Sequence, residues 1–314
     1  MQNLIITANA VVPVFLIVLL GVLLGKINLI DDNFAAISAK LVFNVALPAL
    51  VFVELATTNF ARVLDVGQIV YVCAGTLFAF GLSWLLSILF IREGRDRGVF
   101  VQGSFRSNYG VVGLAIIFNL FGESAMGLAA LVLAFIVPLY NFLSVIALAL
   151  PMRHERQLNL KSTAVEIVTN PLILALVFAL PFAYFKIGIH QIFLTTGNYL
   201  AALALPLALI GIGGSLNFAG MKKAFKIALS STLMKLVFVP LIMTSGAYLL
   251  GFEGEALGVM FILFACPTAI ASFIMAEAMG CNSELAGNIV LLTNLGSVLT
   301  ITLGIAILKN MGLV

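Results

Sequence analysis

The chain has 314 residues, of which 62% are hydrophobic and 9% charged, and its net charge is +3. Soluble domains average about 45–50% apolar and about 25% charged residues, so this chain lacks the polar surface of a soluble globule and reads as a membrane protein. The same figures exclude a disordered chain, a coiled coil and a disulfide-stapled secreted module, and the small basic excess is no footprint for nucleic acid.

A helix crossing a ~30 Å hydrocarbon core needs about 20 mostly apolar residues. Ten stretches meet that length: 7–27, 34–56, 67–91, 98–121, 124–150, 163–185, 189–216, 224–250, 256–279 and 285–308. The first has neither a basic leading region nor a small-x-small cleavage pattern, so it reads as a span and not as a signal peptide. Connections after odd-numbered spans hold ten basic residues, including Arg92, Arg95, Arg97, Arg153, Arg156 and Lys161, whereas the other side holds three, Arg62, Lys186 and Lys309. Lysine and arginine are retained in the cytoplasm. The asymmetry places both termini on the extracellular or periplasmic side of a cell (inner) membrane and the longest hydrophilic connection, 151–162, inside.

Three landmarks recur at one offset. Pro13 and Pro171, Pro48 and Pro206, and Gly122 and Gly280 are each 158 residues apart, and Ala46-Leu47-Pro48 matches Ala204-Leu205-Pro206. The expected fold is therefore an all-α polytopic membrane protein of ten helices, built as a 5+5 inverted repeat: residues 1–150, the connecting loop 151–162, and residues 163–314. Secondary transporters with this architecture bind substrate near the bilayer midplane, on interrupted helices.

Two spans carry interruptions one repeat apart. The fourth contains Arg106-Ser107-Asn108-Tyr109-Gly110, with Asn108 about ten residues, roughly 15 Å, from its cytoplasmic boundary. Adding the offset to Asn108 gives Cys266, followed by Pro267 and Thr268 in the ninth span. Proline deletes an amide donor yet suits the first position of a helix, so a half-helix is expected to begin near Pro267 and aim free amides at the midplane. The competing explanation is a proline kink with glycine-mediated packing.

Leu47-Pro48-Ala49-Leu50, Arg106-Ser107-Asn108-Tyr109-Gly110-Val111-Val112-Gly113, Cys266-Pro267-Thr268-Ala269 and Leu292-Thr293-Asn294-Leu295-Gly296 together resemble the auxin efflux carrier family over nearly the whole chain. The resemblance implies a fold related to the bile acid and sodium symporters, with crossing fourth and ninth helices. It also implies a scaffold of helices 1, 2, 6 and 7, a transport domain of helices 3–5 and 8–10, and a homodimer. Family members export auxin or, in bacteria, carry dicarboxylates such as malate and malonate. The family's asparagine in the fourth helix, which contacts substrate carboxylate in the plant carriers, falls on Asn108. The plant carriers' long central loop is absent, as in short prokaryotic members. Where the fourth helix commonly reads Gly-Leu-Pro, this chain has Gly113-Leu114-Ala115, so its break is expected to be less sharp than the ninth's.

Ionisable groups inside a span are expensive unless paired or facing water. Arg106 and Lys235 lie roughly 12 Å from the cytoplasmic face, and Arg106 is the stronger partner for a carboxylate because it is always charged and can grip bidentately. The expected substrate-binding set is Arg106, Asn108, Tyr109, Gly110, Cys266, Pro267, Thr268 and Ser272, with Asn141 on the fifth span and Asn294 on the tenth. Cys73, Cys266 and Cys281 share no ligand spacing, and His154 and His190 fall on opposite sides, so no metal site, cofactor or enzyme is expected. The expected function is secondary active transport of a small organic anion by alternating access. An anion channel of the same architecture and a sodium-coupled bile-acid-type symporter are the alternatives, and the residues assign neither H+ nor Na+ as coupling ion.

Overall fold

The computed structural model describes residues 13, 16–57, 66–122, 124–155, 165, 168–214 and 218–314. Over these residues its helices are α1 (Leu16–Lys26), α2 (Asp32–Leu41), α3 (Leu47–Ala56), α4 (Val66–Phe90), α5 (Gly94–Phe105), α6 (Leu114–Phe121), α7 (Met126–Glu155), α8 (Pro171–Phe185), α9 (Gln191–Ala202), α10 (Ala204–Gly214), α11 (Phe218–Leu233), α12 (Val239–Leu249), α13 (Gly254–Ala265), α14 (Ala271–Ala278) and α15 (Ser283–Asn310). Among the described residues six helical stretches are long and apolar enough to cross a membrane, shorter apolar helices accompany them, and there is no strand. Each of the ten apolar stretches is helical over most of its described residues. Exposed Phe178, Tyr184, Phe193 and Leu249 give the outer surface the apolar character that lipid contact requires.

The helix boundaries follow from local chemistry. The Asp31 and Asn282 side chains accept from the third residue of α2 and of α15, and Asn170 accepts from Leu172 N–H ahead of Pro171, the first residue of α8. Pro48 and Pro240 lie inside long apolar stretches, where a proline ring clashes with the carbonyl four residues back. In both cases that carbonyl, of Asn44 or Leu236, belongs to a wider π-helical turn, Val42–Ala46 or Met234–Phe238, which leaves room for the ring. A third π turn, Tyr109–Gly113, leads into α6. Gly122 and Gly280 end α6 and follow α14 at φ +72° and +69°, a left-handed conformation that suits glycine.

One difference from expectation concerns the connection at 151–162. Helix α7 continues through Pro151 to Glu155, and Met152 is buried in an apolar core shared with α2, α3, α8, α10 and α14. That anchoring holds the helix together beyond the proline, so the first five residues of the expected loop are helical. The rest of that loop, with Arg156 and Lys161, lies outside the described residues, as do residues 1–12, Arg62 and Glu166. A second core joins α4, α5, α6, α7, α12, α13 and α15 around Phe105, Tyr109, Ile117 and Phe264.

Helices α1 and α10 cross with backbone against backbone. A Cβ added at Gly213 would sit 2.1 Å from the Val18 carbonyl oxygen and 2.8 Å from the Val22 nitrogen, and one at Gly21 would sit 2.5 Å from the Ile210 carbonyl oxygen. Small residues permit such close approach in membranes. Gly213→Ala is therefore expected to lower the thermal unfolding midpoint of the detergent-purified protein. Overpacking costs about 1–3 kcal/mol and outweighs the roughly 1 kcal/mol that alanine gains in helix propensity. Gly25→Ala, where the nearest atom is 3.8 Å away, is expected to leave the midpoint unchanged or raise it.

Candidate functional site

Helix α5 stops at Phe105 because Arg106 turns extended (φ −77°, ψ 125°), and α13 stops at Ala265 because Cys266 does the same (φ −55°, ψ 146°). The two extended segments cross antiparallel, bridged at Ser107 and Thr268 and tied by a 2.8 Å bond from Asn108 N–H to the Pro267 carbonyl. Helix resumes at Tyr109 on one side and at Ala271 on the other. Both breaks are real, and the fourth span's is the shorter. Pro267 does not begin the second half-helix as expected. It lies within the crossing segment, where its missing N–H costs nothing and its carbonyl accepts from Asn108.

A broken helix leaves end carbonyls unpaired, and inside a bilayer no water is at hand to satisfy them. Here the two segments cap each other. The Thr268 hydroxyl donates to the Gly103 carbonyl of α5 at 2.6 Å, and the Ser107 hydroxyl donates to the Leu263 carbonyl of α13 at 2.5 Å. Thr268 N–H reaches the Thr293 hydroxyl on α15 at 3.1 Å, and Lys235, 0% exposed on its π turn, donates to the Ser107 hydroxyl and the Phe264 carbonyl.

Beside the crossing lies a cavity of about 140 Å³. Arg106, Asn108, Gly110, Tyr140 and Asn141 supply the polar part of its wall, and Leu47, Leu50, Leu172, Leu205 and Ala208 of α3, α8 and α10 contribute to the apolar part. Arg106 does not snorkel to the membrane surface. It is 8% exposed, and its guanidinium donates to Asn141 Oδ1 at 2.8 Å, Ser144 Oγ at 3.0 Å and Met275 Sδ. Among the described residues every partner of this cation is neutral. A guanidinium has no acceptor, so Asn141 must present its oxygen and is left with a buried amide NH2 that has no partner. The NH2 of Asn108, on the same wall, is also unpartnered. Gly110 of the π turn and Ile270, the residue before α14, also line the cavity.

The structure thus brings Arg106, Asn108, Gly110 and Asn141 together on the cavity wall. The remaining expected residues are elsewhere. Tyr109 turns into the core of α6, α7 and α13 with its hydroxyl near the Ala129 carbonyl, and Cys266, Pro267 and Thr268 make up the crossing itself. Ser272 is buried with an unpartnered hydroxyl, and Asn294 is buried on α15 with its amide bonded back to the Val290 carbonyl. Ser144 was not expected. Its spacing of three residues from Asn141, which puts both on one helix face, is the signal that identifies it. Thr268→Val is expected to lower the unfolding midpoint, because it strips the cap from a buried carbonyl at a cost of about 1–3 kcal/mol; the check is thermal unfolding in detergent.

A family model described as "Membrane transport protein" matches residues 6–305. An uncharacterized transporter of Methanothermobacter thermautotrophicus is 24% identical, covering 95% of this chain and 97% of its own length. Transporter MJ1031 of Methanocaldococcus jannaschii is 20% identical over 97% of this chain and 100% of its own, and transporter YfdV of Escherichia coli K12 is 24% identical over 84% and 86%. With a match that runs from the first apolar stretch to the last, the chain belongs to the membrane transport protein family, that of the auxin efflux carriers, and is a multi-pass membrane protein.

Proposed function

We propose that the protein is a secondary active transporter that carries a small organic anion, a mono- or dicarboxylate, through the cavity beside the crossing. The observation that carries this reading is Arg106: a buried guanidinium on the cavity wall whose partners among the described residues are all neutral, next to the two unpartnered amide groups of Asn108 and Asn141. A buried charge is costly unless compensated, and a carboxylate supplies both the charge and the acceptors that these three groups lack. An organic cation would enter an uncompensated positive field. The volume of about 140 Å³ resembles an engineered ~150 Å³ cavity that admits benzene, which favours a carboxylate of a few carbons over one as large as auxin.

Alternating access follows from the two walls. In this reading the fold is a 5+5 inverted repeat in the cell membrane with both termini outside. Helices of spans 1, 2, 6 and 7 form a scaffold that carries the apolar wall, and spans 3–5 and 8–10 form a moving unit that carries the polar one. Support for the repeat comes from Gly122 and Gly280, 158 residues apart with matching left-handed φ. Support for the orientation comes from the ten-to-three basic asymmetry.

Thermal-shift measurements with acetate, malonate, malate and choline test the assignment. Carboxylates are expected to raise the midpoint saturably and choline to leave it unchanged; the reverse pattern would refute the anion assignment. Arg106→Gln keeps hydrogen bonding and removes the charge. It is expected to weaken malonate about tenfold or more, since a bond to a charged group contributes about 1.5–3 kcal/mol, and to weaken acetate less. Asn108→Ala is expected to reduce uptake into proteoliposomes without lowering the unfolding midpoint of the substrate-free protein, because its amide has no partner to lose.

A further inference from the structure

The buried ammonium of Lys235 is not among the groups that line the anion cavity. Its surroundings are specific. The C-terminal end of α13 stops inside the protein, and the last carbonyls of a helix carry the negative end of its dipole. The Ile262 carbonyl is met by Cys266 N–H and that of Leu263 by the Ser107 hydroxyl; the Phe264 carbonyl takes Lys235 Nζ at 2.9 Å. The same ammonium lies 2.5 Å from the Ser107 oxygen, so it rests on one helix-end carbonyl and one hydroxyl, both of which accept from it through oxygen. Among the described residues it has no carboxylate partner. In secondary transporters, unwound carbonyls and half-helix C-terminal ends are the groups that coordinate a coupling sodium ion. Lysine offers a compact point charge with rotatable donors, the side chain closest to such an ion.

We infer that Lys235 is a tethered cation that stands where a monovalent metal ion would otherwise hold the two broken helices together, so that the crossing assembles without recruiting sodium. Removing the ammonium leaves the Phe264 carbonyl and the Ser107 oxygen facing a vacated space, which sodium and water can enter.

The test compares thermal unfolding midpoints in NaCl, KCl and choline chloride at equal ionic strength. The wild type is expected to show one midpoint in all three salts. Lys235→Ala is expected to unfold at lower temperature in choline chloride and to regain on the order of 5 °C, saturably, in NaCl. Lys235→Arg, which keeps a cation, should resemble the wild type in its indifference to the salt. If Lys235→Ala does not fold in any salt, Lys235→Gln, which keeps a donor without the charge, carries the same comparison. Equal midpoints of the charge-removed variant in all three salts would overturn the inference. So would a saturable sodium gain in the wild type, a measurement that needs no variant to fold. No carboxylate enters the experiment and chloride is the same in every arm, so its failure leaves the carboxylate assignment untouched.

Discussion

The structure depends on satisfying four helix ends in a place where water is scarce. Breaking two helices near the middle of an apolar bundle exposes two sets of end carbonyls and two sets of end amides, and each one left unmet costs several kcal/mol in hydrocarbon. The chain meets the carbonyls reciprocally. Ser107 caps the helix that Thr268 follows, and Thr268 caps the helix that Ser107 follows, while the Asn108–Pro267 backbone bond fixes their register. Neither break is tolerable without the other. The crossing is therefore one unit, and its hydroxyls are committed to it.

That commitment decides which polar groups are left for a solute. Ser107, Thr268, Thr293 and Lys235 are consumed by backbone and by one another. The NH2 groups of Asn108 and Asn141 are not. Polarity alone therefore overstates the site: a buried serine or threonine at a broken helix is first a cap, and only the donors that remain after the carbonyls are counted can hold a ligand.

Much of the fold was legible in the sequence, because a bilayer forces helices of about 20 apolar residues and leaves few other arrangements. The ten apolar stretches, the paired glycines Gly122 and Gly280, and both interruptions follow from that constraint and from backbone chemistry. The illegible features are those that depend on a partner far along the chain. Pro267 has the local preference of a helix start, yet Asn108 claims its carbonyl and holds it extended. The direction of Lys235 could not be read from helical periodicity, because its π turn inserts an extra residue, and one residue rotates the remainder of the helix by about 100°. Tyr109, beside Asn108 in sequence, lies in the apolar core because the extended segment before it carries no helical phase across the break. Pro151 has the local character of a span end, but the burial of Met152 carries α7 past it.

The two buried cations of the fourth and eighth spans look equivalent by depth, and their environments divide the work between them. Lys235 sits on carbonyl and hydroxyl oxygens at the negative end of a helix, so its charge is compensated by permanent dipoles whether or not a solute is present. Arg106 has only an amide oxygen, a hydroxyl and a thioether, and it borders open space. Neutral acceptors orient a guanidinium without cancelling its charge. In the proposed carrier, the empty polar wall thus carries an excess positive charge that favours a hydrated, open cavity, and a bound carboxylate removes it. The response of the proposed carrier to an anion thus rests on one arginine whose neighbours hold it in place and leave its charge unbalanced.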